Sequence, residues 1–494
     1  MLKTKLIAII CAAAIALGAA GAGIAIAVSA NSDSPFMKTM KAVMPELELY
    51  EKVAEGGGEY GLNVKIDKDI LPQLSSPIDV SLNAKSSKNA ALFGANVAIG
   101  DSKIDMSIGS TGDELLVKSE ALLGESAYYV NIKDKFLEEL DNSIFAPESG
   151  SKYAIPQEFY DALKESIENS SKNEETAEIF EDAIKNIAKE IKKVVEVKKE
   201  NKEIELVDGV TKAKVYTVVM DQTTLVKIVD IVIGELETNE ELREAIESYT
   251  ALAESDDDSE GEAKDVVDEI IEGLKETKPE IEKSSFKVTL TSAEKSGYMV
   301  ALTADINDEN EDVLDFSWVF SSDPEKNPEF DLKVVVVAEE TVELVAKYTL
   351  EEKDGDTTKK LEMTAKEGSV EMLKLSAVTT IDNENVMTST LNATAQGQEI
   401  FALTLGGEYE LTKDKLRVVI NSVELEAAAL ELGEFKLDKS SVTMTISADA
   451  PKIKLEEGDK NILKLTEAEV DAIIEEFQSD FQKMLIDAMG PFGG

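Results

Sequence analysis

The chain has 494 residues, and its 99 acidic and 51 basic residues give a formal net charge of −48. Such a surface repels phosphate backbones, which excludes nucleic acid as a partner and disfavours direct adsorption to anionic lipid head groups. Histidine is absent, and the one cysteine, Cys11, lies in an apolar N-terminal run. These facts exclude imidazole catalysis, His-ligated metals and, beyond that run, thiolate sites and disulfides. We therefore expect no enzyme, no cofactor and no metal site.

The first 33 residues predict a membrane segment. No charge occurs between Lys5 and Asp33, and as a helix residues 6–30 would reach about 37 Å, more than a hydrocarbon core of about 30 Å. The lysines before this run favour a cytoplasmic amino end and an extracytoplasmic body. The large apolar side chains of the predicted anchor include Leu6, Ile10, Ile15, Leu17, Ile24 and Ile26. The alternative is a signal peptide cleaved after Ala30, because Val28-Ser29-Ala30 is an acceptable cleavage site.

Residues 34–253 predict an N-terminal α+β domain. Phe36, Met40 and Val43 recur at helical spacing in a short helix that Pro45 interrupts. Alternating apolar residues, for example in 60–66 and 78–84, then predict an antiparallel meander with one solvated face. Further helices should follow from about residue 156, and Thr238 begins the pattern of a capping box at the start of another helix.

Residues 254–264 form an acidic stretch that we interpret as a linker between two domains. Asp256, Asp258 and Glu260 resemble the start of a calcium-binding loop, with Gly261 in the turn position. The position that requires a bidentate Glu is Val267, so a carboxylate cage cannot close around calcium. The composition instead indicates a solvated linker.

Residues 265–494 predict a β-rich C-terminal domain that ends in an amphipathic helix. After a helix near 265–276, apolar residues alternate in one run after another to about residue 448. So many strands do not fit one flat sheet and favour a curved, half-barrel-like meander. Thr466 to Glu469 has the pattern of a capping box, and the apolar stripe behind it should pack on the concave face of the sheet.

The predicted fold class is therefore α+β, with two domains of curved antiparallel β-meander packed with amphipathic helices, after an N-terminal transmembrane or signal helix. One run carries four large side chains on one face, which we predict to line an apolar ligand site: Leu314, Phe316, Trp318 and Phe320. The alternative is that they pack as ordinary core on a helix such as 466–489.

The layout as a whole resembles a family of exported, membrane-anchored proteins of Gram-positive bacteria. The resemblance rests on the short basic start, the apolar run, a helix after Ser34-Pro35, acidic meanders and the terminal helix. At the level of fold, the layout is similar to the half-barrel lipoprotein and lipid carriers of the cell envelope. The resemblance implies a cell-envelope protein and gives no active residues to carry over.

Two functions fit these expectations. The first is a non-enzymatic structural or interaction module, held at the membrane by its N-terminal helix, with an envelope protein as partner. The alternative is a carrier or binding module for an apolar or amphiphilic, lipid-like ligand held between curved sheet and helices. A carboxylate hydrolase is a third class, but among 99 acidic residues the spacing of carboxylates carries no information.

Overall fold

A computed structural model of the protein describes residues 34–489 except for 68–75, 101, 125, 133–135, 255–265, 286, 309–310, 338–340, 427–439 and 450–451. The predicted anchor 6–30, with the cleavage site at Ala30, lies outside the described residues, as does nearly all of the acidic stretch 254–264. Among the helices that are described, none has both the length and the apolar character needed to cross a membrane.

The described helices occur before the first strand, between groups of strands and at the end of the chain. Their bounds are α1 Pro35–Val43, α2 Glu46–Gly56, α3 Glu120–Leu123, α4 Phe136–Asp141, α5 Gln157–Val194, α6 Gln222–Thr238, α7 Glu240–Glu254, α8 Val266–Lys283 and α9 Glu467–Met489, with a 3₁₀ turn at Ile462–Lys464.

The described part of the chain has twenty strands, which fall into two groups separated by α5. The first group is β1 Gly58–Ile66, β2 Ile78–Ser87, β3 Ala90–Ile99, β4 Ser102–Ser110, β5 Glu114–Lys118 and β6 Tyr128–Asn131. The second group is β7 Val197–Leu206, β8 Gly209–Asp221, β9 Lys287–Lys295, β10 Tyr298–Asp308, β11 Glu311–Phe320, β12 Glu329–Val336, β13 Val342–Lys353, β14 Asp356–Glu367, β15 Val370–Ile381, β16 Val386–Ala395, β17 Gln398–Leu411, β18 Lys415–Glu426, β19 Ser441–Ser447 and β20 Lys460–Asn461.

All of these strands belong to one open sheet. Hydrogen-bonded neighbours follow the chain from β7 to β19, which then pairs with β1, and the order continues from β1 through β6 to β20. Every pair is antiparallel except β6 with β20. The β-rich, mostly antiparallel character predicted from the alternation is therefore confirmed.

Strands from the two predicted domains pair directly with each other. Strand β8, which precedes the acidic stretch in the chain, pairs with β9, which follows it. Strand β1 pairs with β19, from Glu59 opposite Ser447 to Lys65 opposite Ser441. The two predicted β-meanders are thus parts of one sheet. The division into separate domains at 34–253 and 265–494 is not supported by these pairings.

Helices α5 to α8 pack on the part of the sheet that contains β8 to β11. Their apolar side chains and those of the strands form one buried cluster, in which Ile191, Val218, Met220 and Val267 have no exposed surface. Burial of each such side chain contributes about 1.5–3 kcal/mol relative to exposure. This part of the sheet therefore has an ordinary, filled core.

The first two helices pack on other strands of the same sheet. The side chain of Ser34 accepts a hydrogen bond from the amide of Met37 at 3.2 Å, and Pro35 fits the first turn of α1. Val43 at the end of α1 packs with Phe320 and Phe330 on β11 and β12. Pro45 separates α1 from α2, which confirms the predicted interruption.

Helix α2 packs on the strands at which the two halves of the sheet meet. Leu49 and Val53 form a buried cluster with Leu416 on β18 and Ile446 on β19. Together, α1 and α2 cross the sheet from β10 to β1 along one side of it.

The two predicted capping boxes have different outcomes. At α9, the amide of Thr466 donates to Glu469 at 2.8 Å and the amide of Glu469 donates back to the Thr466 hydroxyl at 3.4 Å, which confirms the box. At α7 the prediction was wrong by one residue, because Asn239 accepts from the amide of Leu242 at 3.0 Å. Thr238 still belongs to α6, and its hydroxyl donates to the carbonyl of Gly234 at 2.6 Å.

Candidate apolar binding face

Strands β13 to β19 and β1 to β6 present apolar side chains on one side of the sheet, which we call the apolar face. In one row across these strands, Ala346 lies opposite Met363, which lies opposite Leu375. In another row, Leu62 lies opposite both Met444 and Leu82. Thirteen adjacent strands with a spacing of about 4.8 Å make this face about 58 Å long across the strands.

A cavity of about 580 Å³ lies against the apolar face at β19 and β1 to β4, and we call it the first cavity. Phe93, Met106 and Ile108 line it and are 60%, 51% and 55% exposed, and Leu82 is 48% exposed. Scattered exposed apolar residues are normal, but a contiguous group of large ones indicates a surface that binds something. The first cavity is therefore the leading candidate site.

A second cavity, of about 380 Å³, lies on the same face at β5 and β6. The register continues from one cavity to the other, because Ile108 on β4 lies opposite Val117 on β5. Leu115 and Val130 form the sheet wall of the second cavity, and Phe159 of α5 lines another side. Two apolar cavities on one continuous face suit an elongated ligand better than a compact one.

The terminal helix α9 covers only a small part of this face. It packs on α3 and β4. The sequence predicted instead that the apolar stripe of α9 would pack on the concave face of the preceding sheet. Ile474 and Phe477, two members of that stripe, remain 38% and 39% exposed. The described part of the stripe is therefore only partly buried.

A polar cluster interrupts the apolar face where α2 begins. Lys359 of β14 forms an ion pair with Glu46, the first residue of α2. The hydroxyl of Tyr409 on β17 donates to Glu46 at 2.6 Å, and the Lys359 ammonium lies 4.9 Å from the centre of the Tyr409 ring. The side chains of Glu46 and Lys359 are only 22% and 20% exposed. The pair therefore ties the start of α2 to the middle of the sheet.

Burial and pairing shift the pKa values in this cluster. Burial opposes the charge of Glu46, but the hydrogen bonds from Lys359 and Tyr409 outweigh it, so the pKa of Glu46 lies below its ordinary value of 4.5. Burial raises the pKa of Tyr348, on the neighbouring strand β13, to about 12. Burial and the hydrogen bond to Glu46 raise the pKa of Tyr409. At neutral pH Glu46 is therefore a carboxylate, and the phenols of Tyr348 and Tyr409 are neutral.

Two hydroxyl groups extend this cluster along the sheet. Lys359 lies opposite Thr379 on β15, and Thr379 lies opposite Ser389 on β16. The two hydroxyl oxygens are 2.9 Å apart, within hydrogen-bond distance. The row on one side is apolar, with Leu361, Ala377 and Leu391. We call Lys359, Thr379 and Ser389 the polar row.

The four residues predicted to line a ligand site lie on β11 and line neither cavity. Leu314 and Phe316 pack against the cluster beneath α5 to α8, whereas Trp318 and Phe320 pack against α1. The Trp318 ring meets that of Phe36 edge to face at 5.8 Å, and its indole nitrogen is buried without a hydrogen-bond partner among the described residues. Helices other than α9 therefore pack on this stripe, and its role in ligand binding stays a prediction.

Among the described residues, no group of three or more acidic or cysteine side chains is arranged to hold a metal ion. Comparison with protein-family models, with curated proteins and with solved structures found no match. The resemblance to exported Gram-positive proteins and to envelope lipid carriers therefore stays a prediction. The apolar face and its two cavities are what the functional proposal depends on.

Proposed function

We propose that the protein is a non-enzymatic, extracytoplasmic cell-envelope module that holds an apolar or amphiphilic ligand on its apolar face. In this proposal residues 6–30 tether it to the membrane, and the ligand is lipid-like. The observation that carries the proposal is the first cavity, whose walls are apolar and whose large side chains are about half exposed. Removing apolar surface from water lowers the free energy by about 25 cal/mol per Å², so an apolar ligand that covered this surface would be bound favourably.

Binding of an apolar fluorescent probe tests the proposal. We expect delipidated protein to bind N-phenyl-1-naphthylamine saturably, with a rise in fluorescence. The substitution Ala95→Phe should weaken this binding, because Ala95 is exposed in the first cavity and a ring there would occupy the space. The matched control is Ala98→Phe on the same strand, because Ala98 faces the other side of the sheet, opposite Asp79 and Lys103.

Two results would contradict the proposal. The first is an absence of saturable probe binding by folded, delipidated protein. The second is equal probe affinity in the Ala95→Phe and Ala98→Phe proteins, which would place the bound probe elsewhere.

A structural or interaction role is the second candidate, and the exposed stripe of α9 favours it. Ile474 and Phe477 are both exposed on one helix, as expected for a surface that a partner protein covers. Crosslinking from a photoreactive residue at position 474 should then give one discrete protein adduct in the cell envelope. Crosslinking to lipid alone would contradict this role and favour the ligand-binding proposal.

A further inference from the structure

The polar row lies within an otherwise apolar surface. Among the described positions of β13 to β19 and β1 to β6, Lys359 is the one cation on the apolar face. Other cations of these strands lie at alternate positions on the opposite side, for example Lys347 and Lys360. A half-buried ammonium in an apolar surface is costly unless it is paired, and here Glu46 pairs with it.

The geometry points to a head-group site. We propose that Lys359, Thr379 and Ser389 bind the anionic head group of an amphiphile whose alkyl chain lies along the apolar face. This inference rests on the proposed function and names the class of ligand: an alkyl chain that ends in a carboxylate or a phosphate.

The donors of the polar row suit such a group. The Lys359 ammonium has three N–H donors, and in the structure it contacts oxygens of Glu46 and Tyr409, the latter at 3.4 Å. Its remaining N–H has no partner among the described residues. The hydroxyls of Thr379 and Ser389 share one hydrogen between them, so the other hydroxyl hydrogen is available to an acceptor. A carboxylate or phosphate accepts several such hydrogen bonds at once.

The position of the row also suits an amphiphile. Five strand spacings separate β14 from β19, where the first cavity begins, which is about 24 Å along the sheet. One row between them is apolar, because Met387 of β16 lies opposite Gly407 of β17, Gly407 lies opposite Ile420 of β18, and Ile420 lies opposite Val442 of β19. A head group at Lys359 thus leaves its chain on an apolar path toward the first cavity.

Glu46 occupies the place of the anion in this site. Its carboxylate neutralises Lys359 and hence competes with a bound head group. Removing that charge should strengthen the binding of an anionic amphiphile, whereas a purely structural ion pair would give no such gain. The direction of this change separates a binding site from a structural contact.

A matched pair of probes tests the inference on the full-length protein. The probes are 11-(dansylamino)undecanoate and its methyl ester, which share one chain and differ in head-group charge. We expect the acid to bind wild type about tenfold more tightly than the ester, because charge-assisted hydrogen bonds are about twice as strong as neutral ones. In Lys359→Met the two probes should bind equally, and in Glu46→Gln the preference for the acid should increase several-fold.

Two further variants guard against misfolding and non-specific charge effects. In Glu46→Gln/Lys359→Met no unpaired charge remains, and this protein should bind acid and ester equally. Lys360→Met, which removes the neighbouring cation on the opposite side of the sheet, should keep the wild-type preference. An alkyl phosphate of the same chain, compared with the acid, identifies which head group binds more tightly.

The possible failures are distinguishable. If acid and ester bind wild type equally, or if Lys359→Met keeps the preference, the head-group site is wrong and the proposed apolar binding stands. A loss of preference in Glu46→Gln would also overturn the head-group site. If neither probe binds folded protein, both proposals fail together.

Discussion

Replacing Leu49 with alanine should release α2 from the sheet. Leu49 is 1% exposed and packs with Val53, Leu416 and Ile446 in the cluster that joins α2 to β18 and β19. A buried Leu→Ala change costs about 2–5 kcal/mol, from lost apolar burial and the cavity that remains. A value of about 3 kcal/mol corresponds to about a 150-fold increase in the population of the undocked helix.

Hydrogen-exchange mass spectrometry on peptides from 46–56 measures this opening. In Leu49→Ala we expect protection of α2 to fall by about two orders of magnitude at constant pH, with little change in β13 to β16. Glu55→Ala, an exposed truncation on the same helix, is the control and should leave protection nearly unchanged. Equal protection in the two variants would refute the conclusion that this cluster holds α2 on the sheet.

Three further predictions concern pH, glycine and capping. Because folding lowers the pKa of Glu46, the contribution of Glu46 to α2 docking should be complete above about pH 4.5. It should be lost as the pH falls through the pKa that Glu46 has in the folded protein. Limited proteolysis near residue 46 at decreasing pH measures this loss, and Glu46→Gln is the control that should not respond to pH. A Cβ at Gly407 would overlap the carbonyl oxygen of Val419, whereas Gly234 of α6 has open space. Gly407→Ala should therefore lower the melting temperature, and Gly234→Ala should raise stability by about 0.5–1 kcal/mol. Asn239→Ala should cost about 1 kcal/mol in denaturant unfolding because it removes the cap of α7, and an equal or larger cost for Thr238→Ala would contradict that assignment.

Period-two alternation predicted much of the meander correctly, because each strand has one apolar and one polar side. At the turn between β13 and β14, Asp354 and Gly355 adopt positive φ angles of 57° and 93°, as a tight hairpin requires. The alternation did not reveal β3, although Phe93 of this strand proved central to the candidate site. Ala and Gly occupy positions on both sides of β3, which weakens the contrast on which the pattern depends.

The pairing of β1 with β19 could not be predicted from local patterns. More than 370 residues of the chain separate Lys65 from its partner Ser441. The alternation of apolar and polar residues in a strand does not depend on which strand pairs with it, so it cannot identify the partner. The same limit explains why the partner of Trp318 was not identified. Its neighbour is the short α1 from the start of the described chain, and not the longer and more obvious α9.

The polar row shows a different limit. Lys359, Thr379 and Ser389 are single polar residues at apolar positions of three different strands, and nothing in the sequence aligns them. Only the register of β14, β15 and β16 makes them neighbours. A polar residue at an apolar position of a strand is a signal that sequence reasoning could have used, because such a residue needs a partner.

The packing of α1 limits the length of the linker between the sheet and the predicted membrane anchor. Ser34 is buried at the start of α1, and three residues separate it from Ala30. An extended chain advances at most about 3.6 Å per residue, so the four steps from Ala30 to Ser34 reach about 14 Å. With residues 6–30 as an anchor, Ser34 at the start of α1 would lie within about that distance of the bilayer surface. Cleavage after Ala30 would remove the anchor, and the protein would then diffuse away from the membrane.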